Sequence, residues 1–149
     1  MTESAAIAEN PNAIYFIKAS CSATRYPTLC VGCLSSYAST LQQNERQLAR
    51  AALEVSLTRA EAASTFVHRL SKLKGMKPRE YLAVKDCIQN MEDTVAQLSQ
   101  SSKELGRMYM LVGQNFVWLV GNVKTWVSAS LTNENTCLDG FSGPPWMEM

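Results

Sequence analysis

The residues best equipped for chemistry in this 149-residue chain are its five cysteines, Cys21, Cys30, Cys33, Cys87 and Cys137. Thiolates can bind a metal, exchange as a redox pair or close disulfides. Cys30 and Cys33 form a C-x-x-C, to which Cys21 could add a third thiolate. A structural zinc site needs four ligands, and the one histidine, His68, belongs to a different helical segment. A redox C-x-x-C accompanies a βαβ pattern, which is missing from this sequence. No metal and no cofactor are therefore expected. The disulfide reading remains: Cys21 and Cys30 flank a connector between two short helical segments, and Cys87 and Cys137 fall near the ends of two long ones. Spacing favours these two pairs with Cys33 as a spare thiol, and leaves other pairings open. Two such bonds imply an oxidising compartment and hence a secreted chain.

No catalytic residue is expected. The sequence has no Gly-rich phosphate loop and no Ser/His/Asp arrangement in a recognisable context. Glu92 and Asp93 are adjacent, and adjacent residues of a helix do not face each other.

The elements that must position the cysteines are helices. Only five prolines and seven glycines are present, none of them between Glu45 and Lys74 or between Arg79 and Leu105. No run alternates apolar and polar residues over strand length. A short helix is expected over Asn12 to Ala19 and a second from Tyr26-Pro27 through Ser39, together a hairpin. A long helix follows over approximately Asn44 to Leu73, with the stripe Leu48, Ala52, Val55, Ala62, Phe66, Leu70 and Leu73, and Gly75 placed for the turn that ends it. The next, from Pro78 to about Met108, carries Val84, Ile88, Met91, Val95, Leu98 and Leu105, with Ser102 as its polar member. Its repeat near 3.5 residues suits near-parallel bundle packing. A third long helix is expected from about Gln114 to Leu131 through Phe116, Val120, Val123, Val127 and Leu131. Trp118 and Trp126 lie beside that stripe, as core margins or partner contacts.

Totals narrow the classes further. Hydrophobic residues at 46% and charged residues at 18% describe a globular chain of one-domain size. Fourteen basic and thirteen acidic residues leave a net charge of +1 without a basic cluster, which argues against nucleic acid. The apolar run from Phe116 to Val120 is interrupted by Gly121, Asn122 and Lys124 before membrane-spanning length, so no membrane partner is expected. The opening residues lack a basic n-region and an apolar core, so no signal peptide is expected in this chain.

Two segments carry a resemblance. The stretch IKASCSATRYPTLC, Ile17 to Cys30, resembles the N-terminal hairpin of the plant invertase and pectin methylesterase inhibitor family. Asp86-Cys87 is similar to that family's third-cysteine site. The stretch VKTWVSASLTNENTCLDGF, Val123 to Phe141, is similar to its fourth-cysteine segment. The resemblance implies a four-helix bundle with an N-terminal hairpin, and disulfides Cys21–Cys30 and Cys87–Cys137. It also implies secretion to the plant cell wall and one-to-one blockade of a target enzyme's cleft, without catalysis. Invertase-directed members carry Pro-Lys-Phe ahead of the fourth-cysteine helix, and the stretch Gly106 to Phe116 lacks it. Pectin methylesterase is thus the expected partner, with acid invertase as the alternative, and a detached pectin methylesterase pro-region or a truncated inactive product as others.

The expected architecture is all-α: one domain over 1–149, with a hairpin at 13–40, bundle helices over 44–137 and an irregular tail at 142–149. The tail, with two prolines and a glycine, cannot form the family's last helix. A groove lined by Val84, Val95, Leu98, Val120 and Val127 is then expected, to be covered in part by Trp146 and the tail or shared with a second chain in a homodimer. The candidate partner-binding residues are Gln89, Asp93 and Gln97, spaced by four on a polar face, and Thr132, Asn133, Asn135 and Thr136 beside Cys137. The bland alternative for the first set is a solvated face, and for the second a helix end with its turn.

Overall fold

A computed structural model describes residues 11–41 and 43–142, apart from the side chain of Tyr109. The described residues form an all-α helical bundle without strands: α1 (Pro11–Cys21), α2 (Pro27–Leu34), α3 (Glu45–Leu70), α4 (Pro78–Gly106) and α5 (Gln114–Phe141). Single 3-10 turns follow α2 and α4, at Ser35–Tyr37 and Met108–Met110. The tail from Gly143 to Met149, with Trp146, lies outside the described residues. The chain divides into two compact units after Val55, a point within α3.

In the first unit, α1 and α2 form the hairpin, joined by Cys21–Cys30 with Cα atoms 5.6 Å apart. Ala13, Ile17 and Cys21 on α1 are buried with Leu34, Ala38, Leu41 and Ala51. Cys33 belongs to neither disulfide and is half-buried. At the start of α3, Asn44 Oδ1 accepts from the backbone N–H groups of Arg46 and Gln47, at 2.9 and 3.4 Å, satisfying donors that have no partner inside the helix.

In the second unit, Pro78 supplies the fixed φ of a first helical turn, and Glu80 Oε2 accepts from the Lys77 N–H at 3.0 Å. Gly113 precedes α5 at φ +64°, a conformation that side chains rarely adopt. The α4 stripe is Val84, Cys87, Met91, Thr94, Leu98, Ser101 and Leu105, all buried, at alternating steps of three and four. Ile88 and Val95 are only half-buried, and the buried serine is Ser101 rather than Ser102. In α3 the expected stripe fails beyond Val55. Ala62 is exposed, as are Phe66 and Leu73, because Ala60 and Val67 are the buried residues and Ala63 and Val67 pack on Cys87 and Met91.

The pairing of α4 with α5 is antiparallel: Cys87 meets Cys137, whereas Thr94, later in α4, meets Ser130, earlier in α5. Cys87 bonds Cys137 with Cα atoms 4.5 Å apart. Thr94 Oγ1 donates to the Ser130 carbonyl at 3.3 Å. Gln97 Oε1 accepts from Asn133 Nδ2 at 3.1 Å and from Ser130 Oγ at 3.3 Å. Thr94 and Ser130 are buried, so these bonds keep polar groups satisfied where water does not reach.

Two sequence expectations are corrected here. The third long helix does not stop at Leu131 but runs ten residues further, to Phe141. Its hydroxyl residues bond back one turn instead of breaking the helix: Ser130 Oγ to the Trp126 carbonyl, Thr132 Oγ1 to Ser128 and Thr136 Oγ1 to Thr132. The buried residues of α5 are Leu119, Val123, Ser130 and Cys137, whereas Leu131 is exposed. The expected groove lining is also altered, since Val84 and Leu98 are already buried and Val95, Val120 and Val127 are half-buried.

Thiol titration in denaturant is expected to find one free cysteine before reduction and five after it. Replacing both Cys87 and Cys137 by alanine is expected to lower unfolding stability by about 4 kcal/mol, against about 3 kcal/mol for Cys21 and Cys30, because the longer loop constrains the unfolded chain more. Gln97→Met removes the acceptor at the α4–α5 seam and is expected to cost about 1–2 kcal/mol in chemical denaturation, whereas Gln97→Glu keeps an acceptor and costs less.

Candidate partner-binding face

The seven polar residues nominated from the sequence separate into three situations. Gln89 and Asp93 are exposed on α4, one turn apart, and Gln89 Nε2 donates to Asp93 Oδ1 at 3.1 Å. Gln97 and Asn133 are half-buried and hydrogen-bonded to each other across the seam. Thr132, Asn135 and Thr136 are exposed on α5.

Gln97 therefore joins the two sets. Gln89, Asp93 and Gln97 form one ridge along α4, and Asn133 brings the adjoining ridge of α5 against its end. Thr136, one turn beyond Thr132 on α5, extends that ridge toward Cys137. Both threonine hydroxyls donate to backbone carbonyls of their own helix, which leaves their oxygen lone pairs and methyl groups for a partner. Asn135 departs from this group. It lies four residues from Leu131 and three from Leu138, and so shares its side of α5 with exposed leucines.

The face is polar and built to hold its shape. Two helices cannot slide past each other along this seam without breaking the bonds at Thr94, Gln97 and Ser130 and straining the Cys87–Cys137 link. Beyond it, Glu134 is half-buried, and that burial raises its carboxyl pKa above the ordinary value. His68 Nε2 lies 3.2 Å from Glu92 Oε1, linking the end of α3 to α4, with both side chains about half exposed. Among the described residues no group of His, Cys, Asp and Glu could hold a metal ion. No described helix is long and apolar enough to cross a membrane. Trp118 stands 68% exposed on α5, outside the core, and Trp126 is half-buried.

Sequence reading missed the buried polar residues of the two helices, Thr94, Ser101 and Ser130. A signal for two of them was present: Cys87, Thr94 and Ser101 recur every seven residues, and so occupy one face of α4 with a cysteine known to need a partner. Ser130 precedes Cys137 by the same interval on α5.

The chain matches the sequence model of the plant invertase/pectin methylesterase inhibitor family over residues 15–148. It is 50% identical over 130 residues to pectinesterase inhibitor 9 of Arabidopsis thaliana, covering 85% of this chain and 64% of that protein. It is 48% identical over 128 residues to a 21 kDa protein of Daucus carota, covering 86% and 66%. Pectinesterase inhibitor 11 of Arabidopsis thaliana is 46% identical over 132 residues, covering 88% and 65%. The chain thus spans just under two thirds of the length of these curated relatives. No solved structure matches it significantly. With both cysteine pairs joined on an all-helical frame and the family's sequence pattern running through nearly its whole length, the chain belongs to the plant invertase/pectin methylesterase inhibitor family.

Proposed function

We propose that this chain inhibits pectin methylesterase by seating the polar face of α4 and α5 over the enzyme's substrate cleft in a one-to-one complex. The observation that carries the target is the 46–50% identity to two relatives named as pectinesterase inhibitors. The surface is argued from geometry. A cleft that accepts an anionic sugar polymer is polar, and a rigid helical face rich in amides and hydroxyls can cover it through direct and water-bridged hydrogen bonds. Gln89, Asp93, Thr132 and Thr136 are the exposed contact residues, Gln97 and Asn133 hold the two ridges together, and Asn135 flanks the face. Such one-to-one complexes bury about 1,600 Å² in all. The work is occlusion, without a catalytic group or cofactor. Secretion to the cell wall fits two disulfides, which persist in oxidising compartments.

The purified, oxidised chain is expected to suppress ester hydrolysis by a plant pectin methylesterase near mildly acidic pH, and to leave an acid invertase active. Undiminished ester hydrolysis at large molar excess would sink the proposal, and inhibition of invertase alone would redirect it. Thr136→Arg and Gln89→Arg, both at exposed positions, are expected to weaken inhibition at least about tenfold, or about 1.4 kcal/mol. Helical circular dichroism is expected to stay unchanged in both variants.

A further inference from the structure

One side of α5 is apolar and faces outward. Val117, Lys124, Leu131 and Leu138 recur every seven residues, and Val120, Val127, Glu134 and Phe141 each follow three residues later. This is the a and d pattern of a helix that packs along a partner helix. The surface α5 turns to α4 is a different one, carrying Leu119, Val123, Ser130 and Cys137. Val117 is 63% exposed, Leu131 58%, Leu138 64% and Phe141 48%, and Val120 and Val127 are half-buried. Six of the eight positions are thus apolar side chains with surface still in water. The other two are a cation and an anion.

We infer that this side of α5 is a homodimer interface, in which α5 of a second copy packs antiparallel about a two-fold axis at Ala129. In an antiparallel pair each a residue meets a d residue of the other helix. The pairing about Ala129 sets Val117 against Phe141 of the second copy, Leu131 against Val127 and Leu138 against Val120. It also sets Lys124 against Glu134, twice by symmetry. Every apolar position meets an apolar one and each charge meets its opposite.

The same charges reject the other arrangements. A parallel, in-register pair would set Lys124 on Lys124 and Glu134 on Glu134. An antiparallel pair slipped by one heptad would face each charge with an apolar side chain and leave it desolvated without a partner. A polar residue in such a stripe fixes register and orientation in this way. Two further observations agree. Among the described residues neither Lys124 nor Glu134 has an ion pair. Partial burial already disfavours the charge on Glu134, and a cation from a second copy would offset that cost. The interface leaves Thr132 and Thr136 on another side of α5, so it stands independently of the inhibitor reading.

Sedimentation of the 149-residue chain over a range of concentrations tests this. The chain is expected to dimerise reversibly. Lys124→Glu and Glu134→Lys are each expected to raise the dimer dissociation constant at least about tenfold, because like charges then face each other across the seam. Mixing the two single variants is expected to restore association as a heterodimer, in which both charge pairs are again opposite, and the double variant K124E/E134K is expected to dimerise by itself. A monomer at all concentrations would overturn the inference. A dimer indifferent to both single changes would also overturn it, by placing the contact elsewhere. If a single variant loses helicity, the double variant decides: its recovery supports the interface and its failure to associate refutes it.

Discussion

The covalent link between Cys87 and Cys137 is the constraint on which the second unit depends. It ties the first half of α4 to the last turns of α5 and, together with the short connector between Gly106 and Gln114, holds the two helices antiparallel. From that point the alternating three and four spacing of α4 brings Thr94 to Ser130, and Gln97, beside that stripe, bonds Ser130 and Asn133. A single register satisfies all of them. Buried hydroxyls cost little here because each has an acceptor, and they discriminate against slippage more sharply than leucines would. The hairpin of α1 and α2 repeats the same economy on a smaller scale, with one disulfide over a few buried aliphatic side chains.

Much of this was legible in the residues. Breaker-free stretches marked α3 and α4, Pro78 marked the start of α4, an apolar stripe marked most of α5, and the disulfide pairs suggested by cysteine spacing and implied by the family resemblance are those joined in the structure. Boundaries of the first four helices differ from expectation by a few residues, as fraying ends do. The end of α5 was misread for a definite reason. Thr132, Asn133, Asn135 and Thr136 favour turns when their side chains compete with the backbone, yet here Thr132 and Thr136 bond back one turn, Asn133 bonds across to α4, and the disulfide at Cys137 holds the helix. The second half of α3 was misread because its alanines are ambiguous. Ala62 and Phe66 continue a plausible stripe, but the side facing Cys87 and Met91 is that of Ala63 and Val67.

The polar face was visible only in parts. The spacing of four along Gln89, Asp93 and Gln97 put them on one side of α4, and no local pattern could say that Asn133 would meet Gln97, since that contact joins positions 36 residues apart. The fold turns two segments nominated separately into one surface, with Asn135 at its edge among leucines. On the proposed inhibitor reading the seam would aid recognition, because a preorganised surface loses less entropy when it docks. The two sides of α5 differ in character, one polar and braced against α4, the other an apolar heptad stripe with one cation and one anion.

The central claim is that the α4–α5 pair, clamped by Cys87–Cys137, is the inhibitory element. Titrating a plant pectin methylesterase with the double variant C87A/C137A, beside C21A/C30A, tests it directly. Loss of inhibition in the first, with inhibition retained in the second, is the predicted result. Equal inhibition by C87A/C137A and the parent chain would contradict it.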